Sequence, residues 1–140
     1  MNAVTDTRVA DTVAAIDRYV RDELLPFEKR HGIRWEGQPA KELLQKVWKR
    51  SAELGFYGLM LPVEQGGAGF NAEQMCRVKA HVAGCGAVLA QHVLGELSGP
   101  PRIGYLFKVA TPDQVARFLK PICEADLAVC FALTEEQAGS

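Results

Sequence analysis

The chain has 140 residues, of which 48% are hydrophobic and 24% are charged, and its formal net charge is -1. This length and balance suit one domain with an apolar core, whereas the small net charge provides no bulk electrostatic reason to bind nucleic acid or an anionic membrane. Because no apolar run approaches the ~20 residues of a membrane span and the N-terminus lacks the features of a signal or transit peptide, we expect a cytoplasmic protein.

The first predicted helix runs from about Thr7 to Leu25. Its apolar side chains recur at steps of three or four residues, which places them on one face. These side chains are Val9, Val13, Ile16, Val20 and Leu24. Pro26 is expected to end or kink this helix, because proline has no N–H and its ring clashes with the preceding turn. After a charged connection, a second helix is predicted from Pro39 to Leu54.

A glycine-rich apolar segment, Gly55–Phe70, follows the second helix. Its sequence is GFYGLMLPVEQGGAGF, and its aromatic and aliphatic residues predict a packed loop rather than a flexible linker. The end of the segment, EQGGAGF, resembles a phosphate-binding glycine loop. It lacks the Gly-Lys-Ser/Thr sequence of a P-loop and the preceding strand of a dinucleotide loop, so we interpret it as a structural turn.

Further helices are predicted in the second half of the chain. Asn71 is expected to cap a third helix, AEQMCRVKAHVAGCG. A fourth helix, AVLAQHVLGELS, is apolar on most sides and is therefore expected to be buried. A short helix, IGYLFKVA, leads to a capping box with Thr111 as the cap and Gln114 as the third helical residue. The last helix begins there and is expected to stop near Pro121.

The segment from Leu127 to Leu133 changes to a period of two residues. It alternates larger apolar residues with Ala and Cys and has no helix cap, which predicts a strand buried on both faces. A single strand cannot form a sheet, so its partners are expected elsewhere. The predicted fold is therefore all-α, an up-and-down helical bundle-like domain over residues 1–125. Residues 126–140 are expected to begin a middle β domain of which the rest is absent.

The cysteines and histidines provide no metal or redox motif. None of the 4 cysteines forms a Cys-x-x-Cys pair or lies at metal-ligand spacing with a histidine. We therefore predict buried thiols in a reducing compartment and no metal site. His81 and His92 fall on predicted helices and are interpreted as partly buried packing residues.

Two stretches of the sequence together resemble one protein family. The loop GFYGLMLPVEQGGAGF is similar to the Gly-x-x-Gly-x-x-x-Pro-x-x-x-Gly-Gly-x-Gly loop of the flavin-dependent acyl-CoA dehydrogenases. The end of the chain, CFALTEEQAGS, is similar to that family's strand followed by Thr-Glu-Pro-x-Ala-Gly-Ser. Between them, TPDQVARFLKPI also looks like the family's segment before the strand, and the resemblance extends back to about Val9.

The resemblance implies a three-domain enzyme and a reaction. Family members have an N-terminal helical domain, a middle β domain and a C-terminal helical bundle, usually in a tetramer, so we expect a homotetramer or homodimer. They oxidise the Cα–Cβ bond of an acyl-CoA thioester. A carboxylate base removes the α-proton, the flavin N5 takes the β-hydride, and an electron-transferring flavoprotein reoxidises the flavin. The base lies in the C-terminal domain, so no catalytic residue is assigned here and the 140 residues alone are expected to be inactive.

By position, the resemblance assigns the last ten residues to the edge of an FAD site. Phe131, Ala132 and Leu133 would lie beside the isoalloxazine ring, and the Thr134 hydroxyl would hydrogen-bond the flavin near N5. Such contacts hold the ring and tune its electronics. Glu136 stands where the family has Pro, which loosens this turn and adds a negative charge near a phosphate-bearing ligand.

The remaining assignments concern the substrate. Gly139 and Ser140 would meet the ribityl–pyrophosphate side of the flavin, with Ser140 also near the acyl-CoA. The stretch AQHVLGELS matches the helix that lines the family's acyl-tail pocket. Leu94 and Leu97 are the candidates there, although core packing is the favoured interpretation of both.

Two alternatives remain open from the sequence. One is a flavin oxidase or monooxygenase of the same superfamily, acting on a nitroalkane or aromatic substrate, because such enzymes keep the same helical domain. The other is a non-catalytic helical interaction subunit, which would be cofactor-free and monodisperse. The apolar strand argues against the second, because an unpaired strand is prone to aggregation.

Overall fold

A computed structural model describes residues 3–95 and 103–129 of the chain. Within these ranges the residues form helices, turns and irregular segments without a strand, and the prediction of an all-α fold is confirmed. No helix in the same ranges has the length and apolar character needed to cross a membrane. Of the predicted strand, Leu127 lies in a bend, and Ala128 and Val129 have no regular structure. The rest of that strand lies outside the described residues.

The chain begins with one continuous helical rod. It consists of α1 (Ala3–Tyr19), a π-helical turn (Val20–Leu24) and α2 (Leu25–His31). Of the two effects expected of Pro26, ending the helix near Leu25 is therefore wrong, because the chain stays helical to His31. Pro26 has no N–H and needs space beside the preceding turn, and the wider π turn gives that space. The rod ends instead at Gly32, which adopts a left-handed φ of 63°.

The other helices follow in order. They are α3 (Lys41–Glu53), α4 (Ala72–Ala83), α5 (Leu106–Val109), α6 (Pro112–Gln114) and α7 (Lys120–Cys123), with a π turn (Val115–Leu119) between the last two. The predicted cap at Asn71 and the predicted capping box at Thr111 are confirmed, and Asn71 also forms a capping box. The Asn71 side chain accepts a hydrogen bond of 2.9 Å from the Gln74 N–H, and Thr111 caps α6 through Gln114 in the same way.

The loop Gly55–Phe70 packs into the core, as predicted. Its buried side chains are Phe56, Tyr57, Leu59, Leu61 and Phe70. The N–H groups of Gly67 and Gly69 donate to the carbonyls of Pro62 and Leu61. A Cβ at Gly67 would overlap the backbone of Leu61, so only glycine fits there. The glycine N–H groups thus serve the loop itself, which confirms a structural turn.

The predicted fourth helix, residues 87–98, is not an α-helix in its described part. From Ala87 to Gly95 the backbone forms successive i→i−3 hydrogen bonds, with one 3₁₀ turn (Ala90–His92). Gly86 and Gly95 both have a φ of 79°, which an L side chain rarely adopts, and they bound this segment. The prediction that it is buried is right, because Leu89, Val93 and other members lie in the main core.

The main core lies between α1 and α4, with the loop Gly55–Phe70 and segment 87–95 packed around it. Its most deeply buried side chains are Ile16, Leu24, Val78, Leu89 and Val93. A smaller cluster of Leu61, Ile103, Leu119 and Ile122 joins the C-terminal helices to the loop. Arg50 of α3 forms a two-point ion pair with Glu23 of the first rod, at 2.7 and 2.8 Å.

Candidate functional site

An apolar cavity of about 560 Å³ lies between α4, segment 87–95 and the loop that connects α2 to α3. Its volume is within the range of small-molecule sites in proteins. Aliphatic side chains line most of it, including Met75, Val82, Leu89 and Leu94. The polar lining residues are Lys79, Gln91 and His92, and the indole of Trp35 borders it from the loop.

Helix α4 supplies one wall of the cavity. Met75, Lys79 and Val82 are spaced four and three residues apart, so they share one face of the helix. Met75 and Val82 are buried, whereas Lys79 is exposed. Among the described residues, no carboxylate lies at ion-pair distance from Lys79. The capping box at Asn71 fixes the beginning of this helix and with it the position of the wall.

The opposite wall, segment 87–95, is held by a buried carboxyl group. Glu28 of α2 is only 6% exposed, and its Oε1 accepts a hydrogen bond of 2.7 Å from the Leu89 N–H. A buried backbone N–H needs such a partner, and in this segment no helical carbonyl provides one. The Glu28 carboxyl group therefore provides the hydrogen-bond acceptor that a backbone carbonyl would provide in the predicted helix.

His92 is held in the same wall by a tryptophan. The Trp48 indole N–H donates to His92 Nδ1 at 3.2 Å, and the two ring centroids are 5.8 Å apart. Because the indole nitrogen only donates, Nδ1 must be the acceptor, and a neutral His92 carries its proton on Nε2. His92 is thus a packing residue, as predicted, and also a lining residue of the cavity.

Gly95 closes the segment against the ring of Tyr57. A Cβ at Gly95 would lie 2.7 Å from Tyr57 Cε2, closer than side chains pack. Tyr57 is itself buried, at 5% exposure, so its ring has little room to withdraw. This close approach requires glycine and sets how near the segment lies to the loop Gly55–Phe70.

Trp35 lies at the tip of the loop between α2 and α3. The Gly37 N–H donates to the Arg34 carbonyl at 3.2 Å, which closes a turn around Trp35. Trp35 is 70% exposed and also borders the apolar cavity. Aromatic side chains are common among the residues that line small-molecule sites.

Of the site residues expected from the sequence, Leu94 is the one within the described ranges. It is 6% exposed, belongs to the main core and also lines the cavity, so both interpretations apply to it. The other expected residues lie outside the described ranges. They are Leu97, Phe131, Ala132, Leu133, Thr134, Gly139 and Ser140. Sequence reasoning missed Trp35, Lys79 and Glu28.

A second cleft beside α1 has polar groups that already have partners. His81 Nε2 lies 2.7 Å from Asp17 Oδ1, a pairing that the sequence did not reveal. Arg21 in the same cleft pairs with Asp22 at 2.8 Å. No group of His, Cys, Asp and Glu in the described part of the chain could hold a metal ion. The cavity bordered by Trp35 is therefore the better candidate.

The family model described as "Acyl-CoA dehydrogenase, N-terminal domain" matches residues 8–126. The chain belongs to the acyl-CoA dehydrogenase family. This confirms the family resemblance found in the sequence, and the loop Gly55–Phe70 lies within the matched residues. All the residues that line the cavity described above lie within the matched range.

Curated relatives support the assignment. The chain is 33% identical over 99 residues to acyl-CoA dehydrogenase FadE12 of Mycobacterium tuberculosis, a match that covers 71% of this chain and 25% of the relative. It is 30% identical over 101 residues to a 3-(aryl)acrylate reductase of Clostridium sporogenes, covering 71% and 26%. It is 31% identical over 108 residues to the caffeyl-CoA reductase-Etf complex subunit CarC of Acetobacterium woodii, covering 75% and 27%.

These matches place the chain in an oxidoreductase family that is generally flavin-dependent. The chain spans about a quarter of the length of the curated relatives that it matches. No solved structure matches it. The residues that the resemblance assigns to FAD lie outside the described ranges, so the structure contributes no flavin contact of its own.

Proposed function

We propose that this chain forms the N-terminal helical part of an FAD-dependent acyl-CoA dehydrogenase that oxidises the Cα–Cβ bond of an acyl-CoA thioester. The observation that carries the proposal is the apolar cavity in the segment that the resemblance assigns to the acyl tail. Leu94, chosen from the sequence for that role, is in its wall. Leu97 and the FAD contacts of residues 131–140 belong to the same proposal.

In this proposal the described residues bind and orient the acyl group. Each CH₂ that enters the cavity gains about 0.8 kcal/mol from leaving water. The aliphatic wall also excludes water from the tail, while the contacts of Glu28 and Trp48 hold segment 87–95 in place. When bound, FAD would supply the hydride acceptor, and the base would come from the C-terminal domain that the family resemblance implies.

The names of the relatives support two finer points. An arylacrylate, a caffeyl and a benzylmalonyl group occur in the names of three relatives, which favours an acyl group with an aryl end. CarC is named as a subunit of a complex with Etf. We extend that partnership to this chain, with an electron-transferring flavoprotein as the electron acceptor and a cytoplasmic homotetramer or homodimer as the assembly.

The test uses the full-length product of the gene. Bound FAD should be visible in its absorbance spectrum, and anaerobic addition of an acyl-CoA should bleach it. Leu94→Ala, which removes three carbon atoms from the cavity wall, should raise the acyl-CoA concentration needed for bleaching without releasing FAD. A full-length product that binds no flavin would refute the proposal and favour a helical interaction subunit. Fast reoxidation by oxygen alone would refute the dehydrogenase and favour an oxidase or monooxygenase.

A further inference from the structure

The cavity combines an apolar interior with an aromatic and a cationic side chain. Trp35 borders it and is 70% exposed, which leaves an indole face available to a ligand. Lys79 is the lysine among the lining residues, which include no arginine, aspartate or glutamate. The two come from different elements, the α2–α3 loop and α4, and the cavity brings them to one site.

These two side chains select for particular chemical groups. An indole face stacks on a flat aromatic ring and gains about 0.5–1.5 kcal/mol beyond the burial of area, whereas an alkyl chain gains only burial. An ammonium group attracts an acceptor oxygen, most strongly an ionised carboxylate. Since the described residues provide Lys79 with no carboxylate partner, a ligand oxygen would meet no competing anion there.

We propose that Trp35 and Lys79 are specificity-determining residues for an acyl group that ends in an aryl ring bearing a carboxylate. Trp35 stacks on the ring, and Lys79 pairs with the carboxylate oxygen. The inference rests on the proposed function, because it identifies the cavity with the acyl-tail site. It adds two residues that the sequence did not assign to any site.

The test measures binding of model thioesters to the full-length product of the gene by anaerobic calorimetry. The probes are N-acetylcysteamine thioesters of cyclohexylpropanoate, phenylpropanoate and carboxyphenylpropanoate, of which the first two have the same number of carbon atoms. The phenyl probe should bind about 2- to 10-fold more tightly than the cyclohexyl probe, from the stacking gain. The carboxyphenyl probe should gain a further factor of about 2 to 5, the value of a partly exposed ion pair.

Variants separate the two roles. Trp35→Ala should abolish the preference for phenyl over cyclohexyl, whereas Lys79→Gln should abolish only the gain from the carboxylate. Tyr105→Ala and Lys108→Gln are matched controls, because Tyr105 is 68% exposed and neither residue lines the cavity. Circular dichroism of each variant checks that it is folded.

The outcomes distinguish this inference from the proposed function. Absence of binding, equal affinity for all probes, or an unchanged preference in Trp35→Ala would overturn it. Retention of the carboxylate gain in Lys79→Gln would overturn the role of Lys79. If the selective binding is found but the full-length product holds no flavin, the proposed function fails and the subsite survives. If an acyl-CoA bleaches the flavin of the full-length product but the probes show no aryl selectivity, the subsite fails and the proposed function survives.

Discussion

The carboxyl group of Glu28 accepts a hydrogen bond from the backbone N–H of Leu89, across sixty-one residues of sequence. The contact is buried and joins the end of the first helical rod to segment 87–95. Segment 87–95 has only i→i−3 turns and is bounded by two glycines with positive φ, Gly86 and Gly95. The hydrogen bond from Glu28 explains how such a segment can form a cavity wall.

Removing this carboxyl should destabilise the fold. Glu28→Ala leaves the Leu89 N–H buried without a partner, which costs about 1–3 kcal/mol. Glu28→Gln keeps an acceptor oxygen and should recover at least half of the loss. Urea unfolding measures both, with the exposed Glu36→Ala as the control. If Glu28→Ala unfolds at the same urea concentration as the control, the contact does not hold the segment.

Gly95 and Gly86 allow a matched comparison of backbone strain and close packing. Both have a φ of 79°, but a Cβ at Gly86 meets nothing within 4 Å, whereas one at Gly95 meets the Tyr57 ring at 2.7 Å. Gly86→Ala should therefore cost about 1–2 kcal/mol for the left-handed backbone alone. Gly95→Ala should cost a further 1–3 kcal/mol, roughly, for overpacking. Equal unfolding free energies for the two variants would show that the Tyr57 ring moves aside.

The sequence predicted those parts of the fold that depend on neighbouring residues. The cap at Thr111 was found because a glutamine follows three residues later, and the cap at Asn71 because asparagine is a favoured cap residue. The packing of the loop Gly55–Phe70 was predicted because the loop is rich in aromatic and aliphatic residues. The prediction of a helix over segment 87–95 was wrong. There the Leu89 N–H donates to the carboxyl group of Glu28 in α2, and no neighbouring residue in the sequence indicates this contact.

The candidate site was predicted only in part, for the same reason. Leu94 was found through a family resemblance, whereas Trp35 and Lys79 come from elements far apart in sequence that border one cavity. A tryptophan in the short stretch between Gly32 and Gly37 was the available signal, since tryptophan is highly buried on average and a short loop has no core of its own. The Asp17–His81 pair likewise joins α1 to α4 and has no local signature.

The cap of α4 should contribute to the stability of the cavity wall. Asn71→Ala removes the acceptor for the Gln74 N–H and should cost about 1 kcal/mol. Asn71→Asp keeps the acceptor and adds a negative charge that the helix N-terminus favours, so its stability should equal or exceed that of the parent. Thermal unfolding followed by circular dichroism compares them. An Asn71→Ala variant as stable as Asn71→Asp would mean that the cap is not used.

The buried phenol of Tyr19 should make the protein sensitive to alkaline pH. Burial raises the pKa of Tyr19 from 10.0 to about 12, and the nearby Glu23 and Glu28 act in the same direction. In the unfolded chain the phenol ionises near pH 10, whereas in the folded chain it stays neutral until about pH 12. The unfolded state alone therefore loses a proton between these values, and the free energy of unfolding falls as pH rises through this window.

Ionisation of Tyr19 in the unfolded chain should lower the free energy of unfolding by about 2–3 kcal/mol by pH 12, at 1.36 kcal/mol for each pKa unit. Tyr19→Phe is the matched control, because it keeps the ring that packs against Phe56, at 6.0 Å between centroids, and removes the ionising group. Other groups also titrate at alkaline pH, so the measured quantity is the difference between parent and variant in urea unfolding at pH 9, 10 and 11. This difference should change in favour of Tyr19→Phe as the pH rises, because the variant has no phenol to ionise in its unfolded state. Parallel pH profiles would show that Tyr19 ionises equally easily in the folded and unfolded chains.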